Sequence, residues 1–280
     1  MPQSPLVSTQ WLADNLASPD VVVVNAWLPP LGQPDVPPEY EDGHIPGAVF
    51  FDVDALSDTS STLPHMLPPA HVFSSMMRRL GIGDGQTIVV YDGSGLWSAP
   101  RVWWTFRAMG VKDVHVLDGG LPKWVAEGRP VEDGPGQPRG ERHFTARLDN
   151  SLVADVEKML RALESGHQVL DARPRARFAG SAPEPRAGLR SGHMPGALNL
   201  PFAELMSDGR LRPLEELIAA FDEAQVDRTK PVITTCGSGV SAAVLSLALA
   251  VAGQYQSPVY DGSWTEWGGR DDTPVVTGED

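Results

Sequence analysis

The sequence predicts an α/β protein of two similar domains, each a mainly parallel sheet flanked by helices on both faces. Three observations predict this. The chain repeats itself, with matching segments separated by 149 to 143 residues. Within each half, short β-branched runs alternate with amphipathic segments, the pattern of parallel strands joined by helical crossovers. A stretch rich in Pro, Gly and charge, from Arg129 to His143, separates the halves and carries no apolar period.

The repeat is legible in four places, in the same order. Gly43–Ala48 (GHIPGA) recurs as Gly192–Ala197 (GHMPGA), and Val22–Ala26 parallels Gln168–Ala172. Ile88–Gly95 (IVVYDGSG) parallels Val232–Gly239 (VITTCGSG), and Leu117–Gly120 with Trp124 parallels Tyr260–Ser263 with Trp267. A period this long indicates duplicated domains and not a solenoid. The expected organisation is an N-terminal domain over 1–130, a linker over 131–143 and a C-terminal domain over 144–280. His44 and His193 occur in both copies, so a structural, turn-forming role is expected for each.

The expected strands are, in order, 21–26, 87–91, 114–117, 168–171, 197–200, 231–235 and 258–260, all short apolar runs that read as buried. Val156, Met159, Leu160 and Leu163 follow the i, i+3, i+4, i+7 spacing of one helix face, and Leu214, Leu217, Ile218 and Phe221 repeat it. Ser241–Ala252 is apolar nearly all round and stops at Gly253, so a buried helix is expected there. In such sheets, ligands sit at the loops that follow the carboxyl ends of the strands.

Composition narrows the function. The 280 residues are 41% hydrophobic and 21% charged, ordinary for a globular protein. The formal net charge of -14 disfavours a general nucleic-acid binder, because an acidic surface repels phosphate backbones. The single cysteine, Cys236, excludes an intrachain disulfide and a multi-cysteine zinc site. Met1–Trp11 lacks a basic segment followed by an apolar core, so no signal peptide is expected, and Ala242–Ala252 is too short to span a bilayer. A soluble, cytoplasmic protein with no membrane partner is expected.

The lone cysteine opens a strand–loop–helix junction. Cys236-Gly237-Ser238-Gly239-Val240-Ser241 reads as a small-residue loop between a strand and a helix that is continuous from Ala242. Two glycines let successive backbone N–H groups converge, and the helix N-terminus adds partial positive charge. Such a nest favours a thiolate and attack on sulfur or carbonyl centres, although a buried, inert cysteine is the alternative. The N-terminal copy has Asp92 where Cys236 stands, and one extra residue after it. A carboxylate is a poor sulfur carrier and would repel an anion in the same nest, so that copy is expected to be catalytically silent. Between Asp171 and Arg190 lie five arginines (Arg173, Arg175, Arg177, Arg186 and Arg190) against Asp171 and Glu184, which reads as a cationic island suited to a planar carboxylate.

These motifs together resemble the tandem-domain rhodaneses, a sulfurtransferase family. The resemblance runs through FFDVD at Phe50–Asp54, HMLP at His65–Pro68, WSAPRVWW at Trp97–Trp104, LDGGLPKW at Leu117–Trp124, RFAGSAPEPRAGL at Arg177–Leu189 and YDGSWTEW at Tyr260–Trp267. The loop CGSGVS is similar to that of the 3-mercaptopyruvate sulfurtransferase branch, whereas thiosulfate-preferring rhodaneses usually carry basic residues there. The resemblance implies two rhodanese-like domains and a persulfide formed on Cys236. It implies a carboxylate clamp of Arg177 and Arg186, and substrate contacts from the loop residues Gly237, Gly239, Val240 and Ser241. Ala176 stands where the family often has Gly, a minor departure. The resemblance also implies a proton relay of Asp54, His65 and Ser238, although His65 read alone is a surface or capping histidine. No metal and no organic cofactor are implied. The implied partners are 3-mercaptopyruvate as donor, with a thiol such as thioredoxin or a small thiol, or cyanide, as acceptor.

The rivals are separable by residue. Thiosulfate is a dianion and would be better served by Lys or Arg in the loop than by Gly237, Ser238 and Gly239. A cysteine phosphatase needs an arginine closing the anion loop, and a P-loop needs a lysine after the glycines; Val240, Ser241 and Ala242 supply neither. A non-catalytic sulfur-relay or binding module has no need of Cys236 together with Arg177, Arg186, His65 and Asp54.

Overall fold

The computed structural model describes residues 4–30, 32–33 and 36–278. Two compact units emerge. Unit 1 takes in the chain up to Ser60, Leu67–Asp149 and Asp208–Arg210; unit 2 takes in Ser61–Met66, Asn150–Ser207 and the chain from Leu211 onward. Met1–Gln3, where the expected N-terminal domain and the segment read for a leader both begin, lie outside the described residues, as do the last two residues of the expected C-terminal domain.

Unit 1 runs β1 (Leu6–Val7), α1 (Thr9–Asn15), β2 (Val21–Trp27), β3 (Val49–Asp52), α2 (Ala70–Arg79), β4 (Thr87–Tyr91), α3 (Ala99–Ala108), β5 (Val114–Leu117) and α4 (Gly120–Ala126). Unit 2 runs β6 (Val153–Ala154), α5 (Val156–Glu164), β7 (Gln168–Asp171), α6 (Arg175–Phe178), β8 (Leu198–Asn199), the paired β9 (Met206–Ser207) and β10 (Arg210–Leu211, of which Arg210 clusters with unit 1), α7 (Leu214–Glu223), β11 (Val232–Thr235), α8 (Val240–Val251), β12 (Val259–Tyr260) and α9 (Ser263–Trp267).

The two sheets have one topology. The order β1-β5-β4-β2-β3 in unit 1 becomes β6-β12-β11-β7-β8 in unit 2. All neighbours pair in parallel, so both sheets must be covered on two faces. The central strands show no alternation of buried and exposed positions for that reason: Ile88–Tyr91 and Val232–Thr235 are buried at every residue. In both sheets the central strand, β4 or β11, pairs in register with the strand that follows the first helix. Val21 lies opposite Thr87, and Val232 lies opposite Gln168.

Most expected strands appear with ends moved by a residue or two. The expected strand 197–200 contracts to β8, because Leu198 and Asn199 alone pair with β7. The helix face of α5 buries Met159 and Ala162, capped by the Asp155 carboxylate, which accepts from the Lys158 N–H. Helix α7 buries Leu217 and Phe221, but Leu214 is exposed because it is the first helical residue after Pro213 and lies outside the packed turn. Helix α8 is buried from Ala242 to Ala250, as its all-round apolar surface requires. Among the described residues, no helix is long and apolar enough to cross a membrane.

The chain from 131 to 149 forms no helix and is laid along unit 1. Phe144 is buried against Phe73 and Phe106, and the Arg147 and Asp149 N–H groups donate to the Met109 and Ala108 carbonyls. One aromatic anchor among polar residues has no periodicity to announce it. His44 and His193 occupy equivalent buried positions. Each Nδ1 donates to a carbonyl, of Tyr40 or Phe178, and each ring stacks on that residue's ring at 4.0 and 3.8 Å. Each also pairs through its backbone with a distant strand-like segment, at Glu132 and Val276, which fixes the turn it begins.

Candidate active site

Cys236 follows the carboxyl end of β11, the central strand of its sheet, and is 1% exposed. The loop it opens is shorter than the sequence suggests. Gly239 adopts φ +78, a left-handed conformation that reverses the chain, and α8 begins at once. Val240 and Ser241, expected in the loop, therefore form the first turn of the helix. Their backbone N–H groups are among those at a helix start that have no partner within the helix.

The loop is held from one side by α9. The Cys236 carbonyl accepts from the Trp264 N–H at 2.9 Å, and the Gly237 carbonyl accepts from the N–H and hydroxyl of Thr265 at 2.9 and 2.7 Å. Carbonyl and N–H of one trans peptide point in opposite directions. Holding these two carbonyls against α9 therefore turns the N–H groups of Gly237 and Ser238 to the opposite side. Ser263 completes the clamp. Its hydroxyl accepts from the Cys236 N–H at 3.3 Å and donates to the Tyr260 carbonyl at 2.7 Å. Ser263 itself sits at φ +48. Its counterpart in the first copy is Gly120, at φ +54. A glycine standing where the other copy has serine was the available signal for this special backbone position.

The N-terminal copy shows what such a nest binds. Asp92 follows β4 at the equivalent point and is 2% exposed. One carboxylate oxygen accepts from the N–H groups of Trp97, Ser98 and Ala99 at 2.7, 2.9 and 2.8 Å; the other accepts from the Ser94 N–H at 3.1 Å. The corresponding amides in the second copy are those of Val240, Ser241 and Ala242. Burial pushes the Asp92 carboxyl up and outweighs the backbone donors that pull it down, those of Ala99, Trp97, Gly95 and Ser94, so its pKa is raised. The side chain thus fills its own nest and also caps α3. Asp92→Ala is expected to lower the stability of unit 1 by about 3 kcal/mol, because several buried N–H groups lose one shared charged acceptor. Urea unfolding of the variant checks this, and Asp92→Asn, which keeps one acceptor oxygen, should lose less.

The cationic island is corrected by the structure: it is largely neutralised. Arg173 is 1% exposed, forks onto Asp171 through Nε and a terminal nitrogen at 2.9 and 2.7 Å, reaches Glu184 at 2.8 Å and donates to the Gly192 carbonyl at 2.9 Å. Its guanidinium lies over the Trp264 ring, 4.0 Å from the centroid. Burial works against the Arg173 charge, but Asp171 and Glu184 outweigh it and its pKa is raised. Arg175 pairs at the surface with Glu204, and Arg190 is spent on the carbonyls of Trp267, Gly268 and Thr273. Arg177 donates to Glu184 and keeps part of its side chain, 18%, in solvent. A Cβ built on Gly237 would stand 3.3 Å from a terminal nitrogen of Arg177, so this guanidinium lies directly against the residue after Cys236. Glycine at 237 leaves it room.

The remaining expected residues divide between the units. Ser238 is buried in the loop, and Arg186 is half-buried on the segment that carries Glu184. His65 is half-buried, adopts the left-handed φ of +60 and lies in the short stretch Ser61–Met66 that clusters with unit 2. Asp54 is exposed and belongs to unit 1, in a turn where the Asp52 carboxylate accepts from the N–H groups of Asp54 and Ala55. Unit 2 therefore brings Cys236, Ser238, His65, Arg177 and Arg186 into one body, and not Asp54. Trp264 and Trp267 are fully buried core. Sequence reasoning missed Ser263, Thr265 and the part played by Glu184. Among the described residues, no group of three or more His, Cys, Asp or Glu is placed to hold a metal ion.

Comparison with known proteins agrees with this architecture. A family model for the rhodanese-like domain matches twice, over residues 8–127 and 154–270. The 3-mercaptopyruvate sulfurtransferase of Escherichia coli K12 is 46% identical over 273 residues, covering 96% of each chain. The thiosulfate sulfurtransferase of Rattus norvegicus is 42% identical over 272 residues, covering 94% of this chain and 91% of its own. A crystal structure of the Escherichia coli 3-mercaptopyruvate sulfotransferase superposes with a TM-score of 0.86 at 43% identity, over 94% of this chain and 99% of that one. Two parallel sheets of one topology, a cysteine at the central strand of the second and an aspartate at that of the first are thus accounted for: the chain belongs to the rhodanese family, as a tandem of two rhodanese-like domains.

Proposed function

We propose that this protein is a sulfurtransferase that takes sulfane sulfur from 3-mercaptopyruvate onto Cys236 and passes it to a thiol or to cyanide. The observation that carries the reading is the Arg177 guanidinium lying against Gly237, one residue after a cysteine at the carboxyl end of the central strand. The first step balances without a cofactor. The Cys236 thiolate attacks the thiol sulfur of the donor, an S–S bond forms and the donor C–S bond breaks. The carbon takes up the proton released by the new persulfide and leaves as pyruvate. Arg177 and Arg186 hold the donor carboxylate, and the N–H groups of Gly237 to Ser241 stabilise the charge on sulfur. The proton moves by way of the Ser238 hydroxyl, with His65 as its exchange partner; Asp54 is the third member that the family pattern supplies. In the second step an acceptor thiolate attacks the outer sulfur, the S–S bond breaks and the Cys236 thiolate returns, a ping-pong cycle. A thioredoxin-like protein or a small thiol of the cytoplasm fits that role. Gly95, Leu96 and Trp97 lead into a nest already filled by Asp92, so unit 1 carries no sulfur.

The likeness to a thiosulfate sulfurtransferase supports turnover of thiosulfate as a secondary donor. The test is steady-state kinetics with both donors. Equimolar pyruvate per sulfur delivered and a higher kcat/KM for 3-mercaptopyruvate are expected; a higher value for thiosulfate would reverse the assignment. Arg186→Gln should raise KM for 3-mercaptopyruvate about tenfold and disturb thiosulfate less. Equal losses would remove Arg186 from the clamp.

A further inference from the structure

Glu184 lies between two arginines and its side chain is 2% exposed. One oxygen accepts from Arg173 at 2.8 Å and from the Arg177 Nε at 3.3 Å; the other accepts from a terminal nitrogen of Arg177. Asp171, the second partner of Arg173, is also buried. The cluster holds two positive and two negative side chains, so its formal charge is zero. Arg177 alone of the four reaches solvent. Its two bonds to Glu184 occupy Nε and one terminal nitrogen, and its second terminal nitrogen takes no part in them.

Two consequences follow for an anion arriving beside Gly237. The orientation of the Arg177 fork is set by Glu184, which holds the same terminal nitrogen that lies nearest Gly237 and is itself locked by Arg173. The field at that fork is weakened, because a carboxylate shares the guanidinium at hydrogen-bond distance. A weakened cation still suits a single carboxylate, which gains from geometry, and suits a dianion less, which gains from net charge.

Resting on the sulfurtransferase reading above, we infer that Glu184 is a specificity-determining residue: by orienting Arg177 and cancelling its charge, it matches the clamp to a monoanionic carboxylate donor over a dianionic one. It touches no substrate and acts through Arg177, as a positioning residue.

The experiment measures kcat and KM for 3-mercaptopyruvate and thiosulfate with wild type, E184Q and E184D. For E184Q the ratio of kcat/KM, 3-mercaptopyruvate over thiosulfate, is expected to fall about tenfold, through a higher KM for 3-mercaptopyruvate as the fork loses its orientation and a lower KM for thiosulfate as the Arg177 charge is unmasked. For E184D, which keeps the charge but withdraws it by one methylene, the fall should be about threefold. If E184Q does not fold, the E184D ratio alone decides. A loss shared equally by both donors, or confined to kcat, is what a purely structural ion pair gives and would overturn the inference. Wild type separates the two levels of the argument. Turnover of neither donor by wild type would sink the sulfurtransferase reading and this inference with it, whereas normal wild-type turnover with an unchanged ratio in the variants would sink this inference alone.

Discussion

Cys236→Ser is expected to abolish sulfur transfer from either donor, with a loss of about 10⁴-fold or more and the fold retained. Serine differs by one atom and fits the same buried volume, so the thermal unfolding midpoint should move little. Its hydroxyl stays protonated at neutral pH and cannot take up sulfane sulfur in a readily reversible bond. The rest of the machinery is untouched: α9 still holds the carbonyls of residues 236 and 237, and Arg177 still lies against Gly237. Pyruvate release from 3-mercaptopyruvate, followed with excess thiol acceptor, is the readout. Activity above about a hundredth of wild type would mean that another group carries the sulfur. Asp92 is excluded as that group by its own hydrogen bonds, which consume the nest.

Asp171→Ala is expected to destabilise unit 2 by about 3–5 kcal/mol, the cost of leaving a buried charge without its main partner. Arg173 is among the largest fully buried side chains, and Asp171 takes its fork from two nitrogens. Glu184 would remain as a partner, but it is shared with Arg177. Asp171 also ends β7 and accepts from the backbone N–H of Arg173, so the chain leaving the strand would lose its anchor. Urea unfolding should show the transition of unit 2 moving to lower denaturant while that of unit 1 stays in place. A loss under about 1 kcal/mol would mean that water or a shifted Glu184 compensates, and the network would not be the support of the clamp that its geometry indicates.

The parts of this molecule that sequence made legible are those written as pattern. Strands buried on both faces stand out by their apolar centres, Ile88–Tyr91 in one and Val169–Leu170 in the other, and the observed strands keep the expected limits 87–91 and 168–171. Helix α8 was legible because nothing polar interrupts it beyond two serines. Edge strands β1 and β6 are two residues long and carry no period, so no pattern could announce them. Strand β3 runs into the motif FFDVD, whose aspartates disguise it. The lone cysteine and its Gly-rich turn were equally legible, although the start of α8 was not, since Val240 and Ser241 read as naturally in a loop as in a first turn.

The arginine segment shows where pattern fails. A count of five arginines against two acids suggests a surplus of positive charge. The structure shows that both acids are buried, together with Arg173, and that each is placed to take more than one bond. Charge in a folded site depends on burial and geometry, which a count does not contain. Asp92 teaches the same lesson in reverse. Its position opposite Cys236 was visible by alignment of the two halves, and a carboxylate there was expected to repel an anion. What alignment could not show is that the carboxyl group itself occupies the nest, held by the amides of Trp97, Ser98 and Ala99.

The most direct test of the central claim is the intact mass of the protein after incubation with 3-mercaptopyruvate in the absence of any acceptor, followed by peptide mapping under non-reducing conditions. The expected result is a gain of one sulfur atom, located on the peptide that contains Cys236, with one pyruvate released per chain, and removal of that sulfur on adding a thiol or cyanide. An unchanged mass with both 3-mercaptopyruvate and thiosulfate, or sulfur found on any residue other than Cys236, would contradict it.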